Sequence, residues 1–198
     1  REALQGSKAS GLKSEKIDQL GVQLSASVAT SVSAAKPAKA QIDGLIALYT
    51  QGKLDEALAQ GNVLAKQFPN DATIHNIVGV IYFALNRYKE AMNCSQRALI
   101  IKPNYASVYN NIGNIFKKLE NYSNALTNYK KSIELSPNMV EAHNNLGVLF
   151  KDLKHYKEAE ASLKEAIKQR YNYADAHNNL GNVLTNQEKY KEAITSFN

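Results

Sequence analysis

A period of 34 residues runs through most of this 198-residue chain. Glycine, tyrosine and alanine each recur at that spacing, in three separate columns. The columns are Gly79, Gly113, Gly147 and Gly181; Tyr88, Tyr122, Tyr156 and Tyr190; and Ala57, Ala91, Ala125, Ala159 and Ala193. A unit this short cannot bury an apolar core alone, so its copies have to stack into a linear array.

Each unit has the pattern of two helices. Residues 106–119 carry an apolar stripe at helical spacing, and residues 122–135 form the partner. Pro-Asn follows the second helix in three units and ends it, because proline cannot continue a helix. We therefore predict an all-α fold, an α-solenoid of antiparallel helix pairs. The predicted units are 38–71, 72–105, 106–139, 140–173 and an incomplete 174–198.

The stretch His143-Asn144-Asn145-Leu146-Gly147, followed by Tyr156, Ala159 and Ala166, resembles the pattern of the tetratricopeptide repeat (TPR) family. The resemblance covers residues 38–198. It implies a right-handed superhelix whose first helices line a concave surface that holds extended peptides or helices of partners.

The first and fourth units depart from the family pattern, and the glycine column predicts where helices pack closely. The first unit has Leu45 in the glycine slot and Gln41 in the aromatic slot, and the fourth ends in Tyr171 instead of proline. We therefore expect an atypical first repeat and a looser fourth junction. Glycine inside a helix costs about 1 kcal/mol against alanine, so we also expect a close approach in which Gly113 faces the alanine column.

Two sets of side chains are expected on the concave surface as ligand-binding residues. An asparagine row can pair with a peptide backbone of almost any sequence, since each amide both donates and accepts; solvated residues of the family pattern explain the row equally well. The amide-rich set is Asn110, Asn111, Asn114, Asn144, Asn145, Asn178, Asn179 and Asn182, with Lys117 and Lys151 as groups that favour acidic ligands. The apolar set is Ile42, Ile46, Tyr49, Ile77, Val80 and Phe83, a strip of the kind that soluble proteins cover or use.

The two ends of the chain give further expectations. Residues 1–37 lie outside the period, and we expect a partly disordered segment in which residues 15–31 can form an amphipathic helix. That helix is a candidate to bind the apolar strip of its own chain. The last helix reads as unfinished, so we expect a piece of a longer protein and an end-to-end homodimer through the exposed end.

No catalytic or metal-binding pattern is found. His75, His143 and His177 share a column, but Tyr109 interrupts it, and two neighbouring histidines are fewer ligands than zinc needs. The single cysteine, Cys94, is expected to be structural. We therefore predict a protein that is not an enzyme and has no cofactor or metal.

Composition excludes other classes. The charge of +6 is spread without long runs of like charge, and the inner columns carry amides rather than stacked aromatics, so no nucleic-acid partner is expected. The longest apolar run, residues 77–85, is half of what a membrane span needs, and no insertion is expected. One cysteine agrees with a reducing, cytoplasmic location.

Two functions remain open at this point. The first is a protein–protein interaction scaffold that binds a peptide or helix of a partner. The second is the substrate-recognition arm of a larger enzyme, such as a glycosyltransferase, because Asn111, Asn145 and Asn179 resemble the asparagine ladder of O-linked N-acetylglucosamine transferases.

Overall fold

The computed structural model describes residues 36–197, which form ten helices and no strand. The helices are α1 (Lys39–Thr50), α2 (Leu54–Gln67), α3 (Ala72–Ala84), α4 (Tyr88–Ile101), α5 (Ala106–Lys118), α6 (Tyr122–Leu135), α7 (Val140–Asp152), α8 (Tyr156–Gln169), α9 (Ala174–Asn186) and α10 (Tyr190–Phe197). The predicted all-α repeat fold is confirmed. The amphipathic helix predicted over residues 15–31 lies outside the described residues.

The turn inside each helix pair has a constant geometry. Four residues at the 34-residue spacing adopt a left-handed backbone, with φ between 56° and 62°. They are Asn86, Glu120, Lys154 and Glu188. The next residue returns a hydrogen bond to the preceding helix, as the Arg87 N–H does to the Tyr82 carbonyl oxygen at 2.9 Å. This turn reverses the chain, so the two helices of a pair run antiparallel.

Three of the four connections between pairs are held by a histidine of the next repeat. The Nε2 atoms of His75 and His143 donate to the carbonyl oxygens of Pro69 and Pro137, at 2.9 and 2.8 Å. His177 makes the same bond, at 2.7 Å, to Tyr171, which stands where the other units have proline. The acceptor is a backbone carbonyl, so tyrosine supplies it as well as proline does. The packing of α9 on α8 is at least as extensive as at the earlier junctions, and the expectation of a looser fourth junction is wrong.

The glycine column faces the second helix four residues beyond the alanine column. A Cβ placed on Gly113 would lie 2.5 Å from the Tyr129 ring, and one on Gly147 would lie 2.6 Å from Leu163 Cγ. The prediction that Gly113 faces the alanine column is therefore wrong. The alanines lie one helical turn earlier; at Gly147 the nearest part of that turn is the Ala159 carbonyl oxygen, at 3.2 Å.

In the first repeat the glycine is on the second helix and the large residue that faces it is on the first. Leu45 occupies the glycine slot and is fully buried, while Gly61 stands at the position of Tyr129 and Leu163 in later repeats. A Cβ on Gly61 would lie 3.6 Å from Leu45 Cδ1. The large side chain thus comes from the first helix instead of the second, and this exchange makes the first repeat atypical.

The order of the helices gives the array a curvature. The first helices of neighbouring repeats, α1, α3, α5, α7 and α9, contact one another in sequence. The second helices of neighbouring repeats make no comparable contact within residues 36–197. The first helices therefore approach one another more closely and line the inner side of the curve.

Candidate functional site

A groove on the inner side contains two adjoining cavities. The first cavity has a volume of about 240 Å³ and is lined by Tyr49, Gly79, Val80, Phe83, Ser95, Asn111, Asn114 and Ile115. The second cavity has a volume of about 450 Å³ and is lined by Phe83, Asn114, Lys117, Lys118, Glu120, Tyr122, Tyr129, Asn145 and Asp152. Phe83 and Asn114 line both, so the two cavities adjoin along the groove.

The second cavity is the counterpart of the first, displaced by one repeat. Five lining positions correspond at a spacing of 34 residues: Tyr49 with Phe83, Val80 with Asn114, Phe83 with Lys117, Ser95 with Tyr129, and Asn111 with Asn145. The scaffold is the same at both places. The side chains change from mostly apolar in the first cavity to amide, phenol and charged groups in the second.

The floor of each cavity is set by one residue of the second helix. In the first cavity Gly79 faces Ser95, and two small residues leave space between α3 and α4. In the second, the fully buried Tyr129 covers Gly113, and its hydroxyl donates to Asn114 Oδ1 at 2.8 Å. Burial raises the pKa of Tyr129, with a smaller contribution from Asp152, so the phenol stays protonated and remains a donor.

The four charged residues that line the second cavity are two lysines and two acidic residues, and one lysine and one aspartate form an ion pair. Lys117 Nζ lies 3.0 Å from Asp152 Oδ2, and Lys151 Nζ lies 3.8 Å from Asp152 Oδ1. Lys118 and Glu120 also line the cavity, with opposite charges. The lysines therefore give the groove less preference for acidic ligands than their number suggests.

The asparagines form a ladder between neighbouring first helices. Each rung joins residues 35 apart: Asn111 Nδ2 donates to Asn76 Oδ1 at 2.8 Å, Asn145 to Asn110 at 2.9 Å, and Asn179 to Asn144 at 3.0 Å. We call these three bonds the amide ladder. Asn110 and Asn144 are only 5% and 7% exposed.

The amide ladder corrects one expectation. Asn110, Asn144 and Lys117 are predicted to bind a ligand, but Asn110 and Asn144 are buried as ladder acceptors and Lys117 is paired with Asp152. The stagger of adjacent first helices brings the first asparagine of one unit against the second of the next. Asn111 and Asn145 also use one amide hydrogen each, yet both still line the groove.

The other predicted site residues are distributed more widely. Asn178 and Asn182 are exposed, and Asn178 lines a separate hollow of about 300 Å³ with Tyr171, His177 and Phe197. In the apolar strip, Tyr49 and Ile77 pack against the core of the first two repeats. Ile42 is half-buried, and Ile46, at 42% exposure, is the most open member. The strip is therefore less exposed than six free apolar side chains would be.

Sequence reasoning missed Ser95, Asp152 and Asn76. The signal for Ser95 was present: the column 61, 95, 129, 163 and 197 reads Gly, Ser, Tyr, Leu and Phe, and a small residue faces glycine only in the second repeat. Asp152 and Asn76 carry no such signal, because their roles depend on the stagger between repeats.

Other chemistry is limited in the described part of the chain. Within residues 36–197, no three histidine, cysteine, aspartate or glutamate side chains lie close enough together to hold a metal ion. Burial raises the pKa of Cys94 to about 11, so its thiol is a poor nucleophile at neutral pH. None of the ten helices has the length and apolar character of a membrane span.

Similar solved structures share this fold. TTC0263, a thermophilic TPR protein in Thermus thermophilus, is 19% identical with a TM-score of 0.73, over 80% of this chain and 87% of that one. PilF of Pseudomonas aeruginosa is 19% identical with a TM-score of 0.71, over 79% and 72%. YrrB, described as a TPR protein with an unusual peptide-binding site, is 24% identical with a TM-score of 0.56, over 81% and 82%.

Family models match the sequence itself. A TPR repeat model matches residues 79–120 and 113–154, and a tetratricopeptide repeat model matches residues 149–198. No curated protein matches the chain in sequence. The two models together span residues 79–198, more than half of the chain, and the chain belongs to the tetratricopeptide repeat family.

Proposed function

We propose that this chain is a non-catalytic interaction scaffold that holds an extended peptide of a partner protein in its inner groove. The observation that carries the proposal is the pair of adjoining cavities, one repeat apart, on the first-helix side. A continuous groove with apolar and amide walls suits an extended chain, whose side chains and backbone groups both need partners.

The amide positions on the groove support a backbone contact. Asn111 and Asn145 each spend one amide hydrogen on the ladder, and within residues 36–197 their Oδ1 atoms accept no hydrogen bond. Each oxygen can accept a peptide N–H. The ladder also fixes the orientation of these side chains in advance, which reduces the entropy lost on binding. The unusual peptide-binding site described for YrrB agrees with this use of the fold.

The test is a selection from a random ten-residue peptide library with the full chain as bait. Binding of the enriched peptides is then measured by fluorescence polarisation. In the Phe83→Glu variant a carboxylate stands where both cavities meet, and binding should weaken by about tenfold or more, because desolvating that charge is costly. The matched control is Ile100→Glu on α4, where the side chain is 72% exposed.

The two variants should differ in their affinity for the selected peptides. Ile100→Glu should bind the selected peptides as tightly as the unchanged protein. A library that yields no binder, or binders that are insensitive to Phe83→Glu, would remove the groove as the binding site.

We also propose that the N-terminal segment of the chain can bind in the same groove. Thirty-five residues precede the described part of the chain, and the apolar positions Ile17, Leu20, Leu24 and Val28 within them favour binding to the apolar side of the groove. Deleting residues 1–33 should then raise the binding of a hydrophobic dye or cause association. Unchanged dye binding and unchanged sedimentation would count against self-binding.

The substrate-recognition arm of a larger enzyme is the alternative function. The row of amide oxygens at the spacing of one repeat favours it, since such a row recognises backbone rather than sequence. The full reading frame decides between the two, because a catalytic domain beyond residue 198 would carry recognisable motifs.

We also propose end-to-end association of two copies through the last helix pair. Tyr190, Ile194 and Phe197 on α10 are 60%, 62% and 50% exposed, which is unusual for apolar groups so close together. Sedimentation should show a concentration-dependent dimer that Ile194→Glu abolishes; a monomer at every concentration would refute it.

The location of the protein in the cytoplasm stays a prediction.

A further inference from the structure

We infer that the first cavity is a selectivity pocket that takes one large, uncharged apolar side chain of an extended partner peptide. The inference rests on the proposed function, since the peptide backbone has to follow the groove. It adds which residue of the partner is recognised and which residue of this chain selects it.

The size of the first cavity limits its occupant. Its volume of about 240 Å³ is below the roughly 300–1,000 Å³ of sites that enclose a drug-sized molecule. The first cavity also shares Phe83 and Asn114 with the second, so a side chain in the first cavity would lie next to the part of the peptide that occupies the second.

The neighbouring repeats show what kind of group fills this place. Tyr129, Leu163 and Phe197 face the glycine column in the third, fourth and fifth repeats. In the second repeat Ser95 stands at that position and leaves a cavity instead. The volume missing from the second repeat is therefore that of a large side chain, and a partner can supply one from the groove side.

The absence of charged residues around the first cavity indicates which partner side chain it can hold. Tyr49 apart, no residue lining the first cavity is ionisable, whereas lysine, glutamate and aspartate all line the second. A charged group in the first cavity would lose water without gaining a counter-ion. A large side chain without charge, such as leucine, isoleucine, methionine or phenylalanine, therefore fits the first cavity better than a charged one.

The test couples one position of the peptide to one residue of the protein. The probe is the tightest ten-residue peptide from the library selection, with each position in turn changed to serine. On the unchanged protein, one apolar position should cost about tenfold or more in affinity when it becomes serine, the loss expected for removing a buried side chain.

Ser95→Leu closes the pocket with the side chain that the fourth repeat already carries. In this variant the unmodified peptide should bind about tenfold more weakly, and changing its apolar position to serine should then have little further effect. The matched control, Gln96→Leu, adds a leucine at an exposed position of the same helix, outside the first cavity, and should preserve both the affinity and the preference. If Ser95→Leu loses its helical circular dichroism, Val80→Asn, which copies the next repeat, is used in its place.

The results of these experiments distinguish the selectivity pocket from peptide binding in the groove as a whole. Serine substitutions that cost the same affinity in the unchanged protein and in Ser95→Leu would overturn the pocket, while sensitivity to Phe83→Glu would still support groove binding. A selection without binders would overturn both. Peptides that bind only after deletion of residues 1–33 would make the chain's own N-terminal segment the occupant and overturn the partner assignment.

Discussion

The second and third repeats have the same backbone plan but differ in the groove they present. In the second repeat Gly79 faces Ser95, and the space above them is a cavity lined by uncharged residues. In the third repeat Gly113 is covered by Tyr129, and the corresponding cavity is polar and contains the Lys117–Asp152 pair. The volume of one side chain on the second helix thus sets how deep the cavity reaches, because Gly79 lines the first cavity whereas Gly113 does not line the second.

The contacts that join neighbouring repeats also become more polar towards the C-terminus. Two ion pairs between repeats, within residues 36–197, join Lys117 to Asp152 and Lys189 to Glu160, both in the C-terminal three repeats, and Arg170 pairs with Glu141 inside the fourth repeat. The core of the first two repeats is an apolar cluster around Leu45, Ile74 and Val78. The N-terminal part of the array is therefore joined mainly by apolar packing, and the C-terminal part also by polar and ionic bonds.

The largest expected effect comes from giving the third repeat the residue of the second. Tyr129→Ser removes a fully buried aromatic ring and should lower the free energy of unfolding by about 3–5 kcal/mol in chemical denaturation. Tyr129→Phe, which removes only the hydroxyl, should cost about 1 kcal/mol. A loss below about 1 kcal/mol for Tyr129→Ser would show that the ring does not close this core.

The glycine column should respond differently in the two repeats. A Cβ at Gly113 would overlap the Tyr129 ring, so Gly113→Ala should destabilise by about 1–3 kcal/mol. At Gly79 the nearest atoms are 3.3–3.5 Å away, and Gly79→Ala should change stability by less than about 1 kcal/mol, since better helix propensity offsets mild crowding. Equal thermal unfolding midpoints for the two variants would contradict the difference between the floors.

The amide ladder should matter where it is buried. Asn144→Ala removes a buried acceptor and leaves an amide hydrogen of Asn179 without it, at a cost of about 1–2 kcal/mol. The control is Asn178→Ala, a substitution of an exposed neighbour, which should stay within about 0.5 kcal/mol. Comparable losses in urea titrations of the two variants would mean that the ladder contributes nothing specific.

The smallest expected effect is the pH dependence that Glu160 gives to the stability of the C-terminal repeats. Hydrogen bonds from Lys164 and Lys189 lower the pKa of Glu160 from 4.5 to about 2. Its folded pKa lies below the unfolded one, so the stabilisation is present above pH 4.5 and is lost as the pH falls through 2. Both lysines are exposed, which limits the effect to about 1 kcal/mol or less.

Glu160→Gln tests this linkage. The variant should lose less stability than the unchanged protein between about pH 5 and 2, measured by denaturant titration at each pH. Glu192→Gln, at an exposed position of α10, serves as the charge-matched control. Identical pH profiles of Glu160→Gln and the unchanged protein would refute the role of this carboxylate.

The sequence predicted most of the fold because its period is strict. The columns containing Gly113 and Tyr122 repeat every 34 residues, and the helix boundaries follow from stripe, turn and proline. The site was harder to predict, because ladder partners such as Asn110 and Asn145 are 35 residues apart, one more than the period. Only the stagger of neighbouring helices shows which asparagine is buried as a rung, whereas the column 61, 95, 129, 163 and 197 already marks Ser95 as the small residue at the floor of the first cavity.

The most direct test of peptide binding in the groove is a map of backbone amide chemical shifts of the full chain, by nuclear magnetic resonance, during titration with the selected peptide. The largest changes should fall on Gly79, Val80, Asn111 and Asn114, which line the first cavity, with smaller ones at Lys117 and Asn145. Changes centred on the second helices, for example at Ile100 or Lys130, or at the end formed by α10, would contradict the account.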